Sequence, residues 1–456
     1  MGRYLDRMKA DRHLIGYSSG NFGKNLMLGS VDVTLLFLLT DLLGIDPQSV
    51  SLLMLLVFGA DLVLDLGAGW LAAWAQNRGT GYRRLIVLGT LPCAAAFVLI
   101  YSLPLLGAKS IAAIALVIIF FRAAYAVIDV PHNSLLARVA ADSRARGRAS
   151  GYRTVFSSAA SALIATVLVP FMVTAGQPAT AGQLSRLGVT GGTVFCAAMW
   201  FAAWSAQEED GRGERQVRPS ARIVILPKLD RLFGAFAIVA LVTGFATPVF
   251  SKMMLYISTY VLKEPGFAGR ILLTITLGQL AGAALWIFLV RSRDKTVLLA
   301  ASHGMAGCGV WLFSMAGEHT WWLTASAALI GVGFGGVFML PWGILADMTD
   351  FAEFRHGERR ETATFATVLV LLKAGGVGSA VAIGWTLGKL GYVPGVAQSD
   401  AVIQGMKLLA FGVPILGSLI AIATLRRLAV GHEVHARVVR ANLERQRRLA
   451  AASRPV

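Results

Sequence analysis

Twelve apolar stretches with helical spacing constrain this chain more than any other feature. They fall at about 14–40, 48–75, 84–105, 109–137, 151–175, 189–206, 232–260, 267–291, 296–316, 320–347, 362–390 and 403–428. Crossing the hydrocarbon core of a bilayer takes about 20 apolar residues in a helix. The longer stretches therefore imply tilt or projection beyond the bilayer. Composition supports the same conclusion: 56% of the 456 residues are hydrophobic and 15% are charged, against about 25% charged in a soluble domain. The fold class expected is an all-α membrane protein with 12 transmembrane helices.

The net charge of +17 would suggest nucleic-acid binding in a soluble protein. Here the basic residues sit in short segments between apolar runs, which is the pattern that orients membrane helices. One set of alternate loops carries Arg3, Arg7, Lys9 and Arg12; Arg78, Arg83 and Arg84; and Arg138, Arg144, Arg146 and Arg148. The same side carries Arg212, Arg215, Arg218 and Arg222; Arg291, Arg293 and Lys295; Arg355, Arg359 and Arg360; and the tail from Arg426. The other side has Lys109, Arg186, Lys263, Arg270, Lys389 and Lys407. Both termini are predicted to be cytoplasmic, with no nucleic-acid partner. The charged first ten residues, followed by a long run, do not read as a cleavable signal peptide, so Met1 is expected to be retained.

The polar stretch 207–231 separates six spans from six and reads as a cytoplasmic linker. The predicted organisation is a six-helix bundle over 1–206, a second over 232–430, and a basic cytoplasmic tail over 431–456. A faint internal repeat supports duplication. PHNSLL (131–136) followed by RARGRASGYRTV (144–155) matches PWGILA (341–346) followed by GERRETATFATV (357–368) in placement. Two such halves around a midplane site form a common transporter plan. In the tail, Val434, Val438 and Leu443 lie among arginines. That pattern fits an amphipathic helix on anionic lipid or a plain solvated tail.

Ionisable groups inside spans are costly and are usually functional. They are Lys24, Asp32, Asp61, Asp65, Arg122, Asp129, Arg153, Lys252 and Lys373. Asp61 and Asp65, four residues apart, project from one helical face about one turn apart. Two carboxylates that close in low dielectric cannot both ionise cheaply, so a shared proton or a bound monovalent cation is expected. Asp129 and Arg153, with a lysine, can hydrogen-bond a polyhydroxylated or zwitterionic solute; interhelical salt bridging is the alternative. Cys93, Cys196 and Cys308 have no metal or disulfide spacing. The seven histidines form no intramembrane cluster, and no Ser/His/Asp set or phosphate loop is present in the spans. Neither an enzyme nor a metal or cofactor site is expected.

Several segments resemble the glycoside–pentoside–hexuronide:cation symporters of the major facilitator superfamily, of which melibiose permease is the familiar member. They are GYSSGNFGKNLMLGSVDVTLLFLLTDLLGI (16–45), ADLVLDLGAGWLA (60–72), YAVIDVPHNSLL (125–136), GYRTVFSSAAS (151–161) and ADMTDFAEFRHGERRET (346–362). The resemblance implies a major facilitator fold. It implies a coupling-cation site at Asp61 and Asp65 with Lys373 near it. It also implies substrate contacts at Lys24, Asp129 and Arg153. Asn25 stands where melibiose permease has a sugar-binding carboxylate, and Asn133 stands where a tryptophan stacks on the sugar. Leu64, Ala126 and Leu369 replace polar residues of the cation site, and Leu66 replaces a usual proline. Keeping both carboxylates while losing neutral oxygen ligands favours a proton over sodium. The expectation is a monomeric, proton-coupled symporter of the bacterial inner membrane, embedded in membrane lipid and importing a sugar or other small polar solute. The alternative is an amphiphile such as a lysolipid.

Overall fold

The protein is described by a computed structural model over residues 11–78, 80–139, 143–174, 178–206, 231–264, 266–290, 292–317, 319–356, 361–426, 428 and 431–452. Those residues are helical apart from short connections, and twelve helices among them are long and apolar enough to cross a membrane. They are α1 (Arg12–Leu42), α2 (Pro47–Ala72), α3 (Tyr82–Ser102), α4 (Ile111–Leu136), α5 (Arg148–Val173) and α6 (Ala181–Ser205). After the linker come α7 (Arg231–Val261), α8 (Phe267–Leu289), α9 (Lys295–Met315), α10 (Thr320–Arg355), α11 (Thr364–Lys389) and α12 (Asp400–Leu425). A further helix, α13 (His432–Ala452), forms from the tail.

The number of spans agrees with the apolar pattern, and two boundaries differ from it. The sixth helix begins well before 189 and carries Arg186 inside it. The tenth runs beyond 347 to Arg355. In both, the helix continues past its apolar stretch, because backbone hydrogen bonding does not stop where side chains become polar. Apart from Arg231, the expected linker 207–231 lies outside the described residues.

By packing, the chain divides into two compact units: Met1–Val217, Ser251–Leu273 and Ala380–Met406 in the first, and Arg218–Phe250, Thr274–Ser379 and Lys407–Val456 in the second. These groupings differ from the halves 1–206 and 232–430, which follow chain order.

In the second unit, helices approach closely where side chains are smallest. A Cβ on Gly278 would lie 2.6 Å from the Ala328 carbonyl, and one on Gly375 would lie 2.6 Å from the Gly244 backbone. Such contacts take the place that hydrophobic collapse has in water, since lipid is as apolar as leucine. The core of this unit gathers Phe233, Phe236, Trp286, Leu299, Ile344 and Met348.

Val438 of α13 belongs to that same core, with Val434 packed against it. The Asn442 amide donates to the Asp350 carbonyl at 2.9 Å, and His435 Nε2 lies 2.9 Å from Asp350 Oδ2. The tail is therefore neither a lone solvated segment nor a helix with its apolar face free for lipid. Val438 is buried and Val434 partly buried where this helix packs on α10, while Leu443 remains 50% exposed.

Candidate functional site

The first unit brings three polar helix faces together. On α1, Tyr17, Asn21, Lys24 and Asn25 follow a spacing of four, three and one, which places them on one side. On α4, Arg122, Tyr125, Asp129 and Asn133 are spaced three, four and four. On α5, Arg153, Ser157 and Ser161 are spaced four and four. Gly20 lets α1 approach α4, because a Cβ there would meet His132 Nε2 at 2.5 Å.

Lys24 is 6% exposed and forms an ion pair with Asp129 Oδ1 at 2.5 Å. Its ammonium also donates to Asn133 Oδ1 at 3.0 Å and contacts His132 Nδ1 at 3.4 Å. Lysine carries only donors, so His132 Nδ1 must accept. The proton then sits on Nε2, which faces the Tyr17 carbonyl at 3.1 Å. The imidazole stacks on Tyr17 with centroids 4.6 Å apart, and the Tyr17 hydroxyl donates back to the His132 carbonyl at 2.9 Å.

Arg153 continues the network. One terminal nitrogen donates to Asn133 Oδ1 at 2.7 Å, and Nε donates to Asn21 Oδ1 at 2.8 Å. The Asn133 amide nitrogen donates to Asp129 Oδ2 at 3.0 Å. Asn133 thus links all three charged groups, accepting from both cations and donating to the carboxylate. Asn25 takes a neighbouring course, donating to the Ser157 carbonyl at 2.6 Å and to Ser161 Oγ at 2.8 Å. Asp129 is 32% exposed, and Asn133 is exposed, so the network has an open face. It can offer ammonium, guanidinium, carboxylate and amide groups to the hydroxyls or charges of a solute.

The residues expected at the coupling site are placed as follows. Asp61 is buried in α2, and Asp65 is half-buried one turn on. Asp61 acts electrostatically on the Arg122 guanidinium, as does Asp32. Arg122 and Asp32 form an ion pair at 3.0 Å. Lys373 is half-buried in α11, in the second unit. No group of three or more His, Cys, Asp or Glu suited to a metal ion occurs among the described residues.

A profile of the MFS/sugar transport protein family matches residues 16–432. The chain belongs to that family. A raffinose carrier protein of Pediococcus pentosaceus is 24% identical, over 88% of this chain and 66% of its own length. A putative glycoside/cation symporter of Escherichia coli (strain K12) is also 24% identical, over 88% of each chain. The crystal structure of a nucleoside transporter aligns with a TM-score of 0.62 at 12% identity, covering 91% of this chain and 99% of its own. As an MFS/sugar transport protein, the chain is a multi-pass membrane transporter and not an enzyme.

Other polar residues of this MFS/sugar transport protein did not stand out in the sequence. Asn21, His132, Tyr17, Ser157 and Ser161 are neutral and scattered, and only their spacing relative to Lys24, Asp129 and Arg153 marks them. A second cluster is built around Asp41 at the far end of α1. The Tyr260 hydroxyl donates to Asp41 Oδ1 at 2.5 Å and that of Tyr392 donates to the same oxygen at 2.6 Å. The Thr40 hydroxyl reaches Asp41 Oδ2 at 2.6 Å and the Tyr256 hydroxyl at 2.8 Å. Burial, and after it the Asp41 charge, push the Tyr392 hydroxyl up, so it stays protonated and a donor.

Proposed function

We propose that this transporter is a proton-coupled symporter that carries a sugar or other small polar solute across a bacterial inner membrane by alternating access, acting as a monomer with both termini cytoplasmic. The observation that carries this reading is the Lys24–Asp129–Asn133–Arg153–Asn21 network, which concentrates fixed charges and amides on three helix faces within the spans. Sugars are recognised through hydroxyls that both donate and accept, and this set does both. Arg153 is held by two neutral amides, leaving its other donors for a solute. The raffinose and glycoside relatives support sugar as the substrate class.

Coupling is assigned to Asp61 and Asp65. A carboxylate in the bilayer is costly when charged, so proton occupancy changes its preference between water-exposed and sequestered positions. Lys373 serves the same step as a third charge whose pairing responds to occupancy. The test is uptake into proteoliposomes of a panel of glycosides, hexoses and hexuronates under imposed proton or sodium gradients. Wild-type uptake is expected to follow the proton gradient. Asp61→Asn and Asp65→Asn are expected to lose gradient-driven accumulation while retaining some downhill exchange. Full gradient dependence in both variants would refute the coupling assignment.

A second reading, transport of an amphiphile, draws on an apolar cavity in the second unit lined by Phe236, Val239, Phe338, Trp342, Leu345 and Leu372. Lysolipid uptake in the same vesicles decides between them. Sugar uptake without lipid uptake would dismiss the amphiphile.

A further inference from the structure

Of the ionisable residues that the sequence marks inside the spans, three have no place in the solute network or the coupling set: Asp32 on α1, Arg122 on α4 and Lys252 on α7, all in the first unit. Arg122 is 17% exposed, and one terminal nitrogen pairs with Asp32 Oδ1 at 3.0 Å. Its Nε is buried and has no hydrogen-bond partner. Four side chains act on or through this guanidinium from the elements around it. Asp32, Asp61 and Tyr125 act on Arg122 directly, and Lys252 interacts with both Asp32 and Arg122. Tyr125 lies one turn along α4, between Arg122 and Asp129, and responds to both.

We propose that Arg122 is a tethered cation of the coupling site, standing beside Asp61 where a sodium ion would otherwise be bound, and that it makes the site selective for protons. The proposal rests on the coupling role of Asp61 given above. The charges are consistent with it. Of these groups Asp32 and Asp61 are acids that both act on the single guanidinium of Arg122, which pairs with Asp32 and also feels Asp61. A sodium ion here would be held chiefly by the carboxylates, since Leu64 and Ala126 bring no oxygen ligand. It would also have to displace a guanidinium that covalent attachment holds at high local concentration.

The lone Nε fits a group that has two positions. A buried donor without an acceptor is costly, and the guanidinium, paired with Asp32, also feels the Asp61 charge, so a second position turned towards Asp61 would offer it a further acceptor. Protonation of Asp61 removes one of the two anions and leaves Asp32 to hold the guanidinium. Deprotonation restores the competition. Arg122 also begins the polar stripe that runs through Tyr125 and Asp129 to Asn133, so its position can be felt at the solute network.

The test uses the purified full-length protein and the ion itself as the probe. Thermal unfolding in detergent is compared in sodium and choline salts at equal ionic strength. Wild type is expected to show no difference, and Arg122→Gln a saturable upward shift of Tm in sodium. Adding Asp61→Asn to that variant is expected to abolish the shift. Stabilisation of wild type by sodium overturns the proposal, as does an Arg122→Gln protein that is folded and insensitive to sodium. If Arg122→Gln does not fold, Asp32→Asn serves instead. Freed from Asp32, the guanidinium favours ionised Asp61, so the pH profile of gradient-driven uptake should move to lower pH; an unmoved profile overturns the proposal. The uptake assay of Asp61→Asn in the Arg122 wild-type background tests the coupling role separately. Gradient dependence retained there defeats that role, whatever the sodium response.

Discussion

Asn133 accepts hydrogen bonds from Lys24 and Arg153 and donates one to Asp129. A neutral side chain here organises three charges, and the most demanding of them is Lys24. With its side chain 6% exposed, its ammonium depends on Asp129 for compensation. Removing one partner of a buried pair typically costs about 3–5 kcal/mol, because the other is left uncompensated. Asp129 is 32% exposed, so solvent screening places Asp129→Asn at about 3 kcal/mol, the low end. We expect a lowered Tm for Asp129→Asn and partial recovery in the double variant Lys24→Gln/Asp129→Asn, with uptake lost in both. If the single variant matches wild type in Tm, the ion pair does not compensate Lys24 in this way. Lys24, Asp129 and Arg153 were legible in the sequence because charge within an apolar run is rare and expensive. Asn25 and Asn133 were legible only through resemblance to the symporters. His132 and Asn21 could not be singled out, since an amide or imidazole in a membrane helix can be satisfied in many ways and only its neighbours show which.

The first and seventh helices are elements of matching design. Each spans 31 residues, and each ends in a π-helical turn, Leu38–Leu42 in α1 and Ile257–Val261 in α7. A π turn inserts one residue into the helical ladder and re-aims the side chains beyond it, which is why such turns recur at functional sites. Asp41 and Tyr260 both lie within these turns and hydrogen-bond each other. The sequence repeat was too faint to reveal this likeness, because it resides in backbone geometry; apolar periodicity located the two spans but carries no mark of a widened turn. Tyr392, from the loop between α11 and α12, completes the cluster with its own donor to Asp41. A hydrogen bond to a charged acceptor contributes about 1.5–3 kcal/mol. We expect Tyr392→Phe to loosen this end of the first unit, read as faster amide hydrogen exchange in 38–42 and 257–261 with exchange at Asn133 unchanged. Unaltered exchange in the two π turns would mean that Tyr260 and Thr40 alone hold Asp41. Because Asp41 is separated along α1 from Lys24 by more than four turns, such loosening should change the rate of uptake more than the affinity for solute.

Across the whole molecule the distribution of charge is more ordered than any single contact. The net charge of +17 is concentrated in one set of alternate connections and in the tail, and α13 presents Arg437, Arg440 and Arg445 as exposed residues. Its other side is fixed by Val438 in the core of the second unit and by Asn442 and His435 on Asp350. The tail therefore has a defined place at the end of α10, and its outward charge is added to that of the loops on the same expected side. Each basic residue near an anionic cytoplasmic leaflet contributes about 1 kcal/mol of attraction, and such loops resist translocation during insertion. The two effects point the same way, so the orientation with both termini inside should hold for the whole population. It can be read with single cysteines at Glu444 and Lys109, both exposed, in a background where Cys93, Cys196 and Cys308 are replaced by serine or alanine. In intact cells an impermeant maleimide is expected to label Lys109→Cys and to spare Glu444→Cys; in inverted vesicles the pattern should exchange. Labelling of Glu444→Cys in intact cells would reverse the orientation. It would also place the basic surface of α13 away from the anionic leaflet that its charge suits.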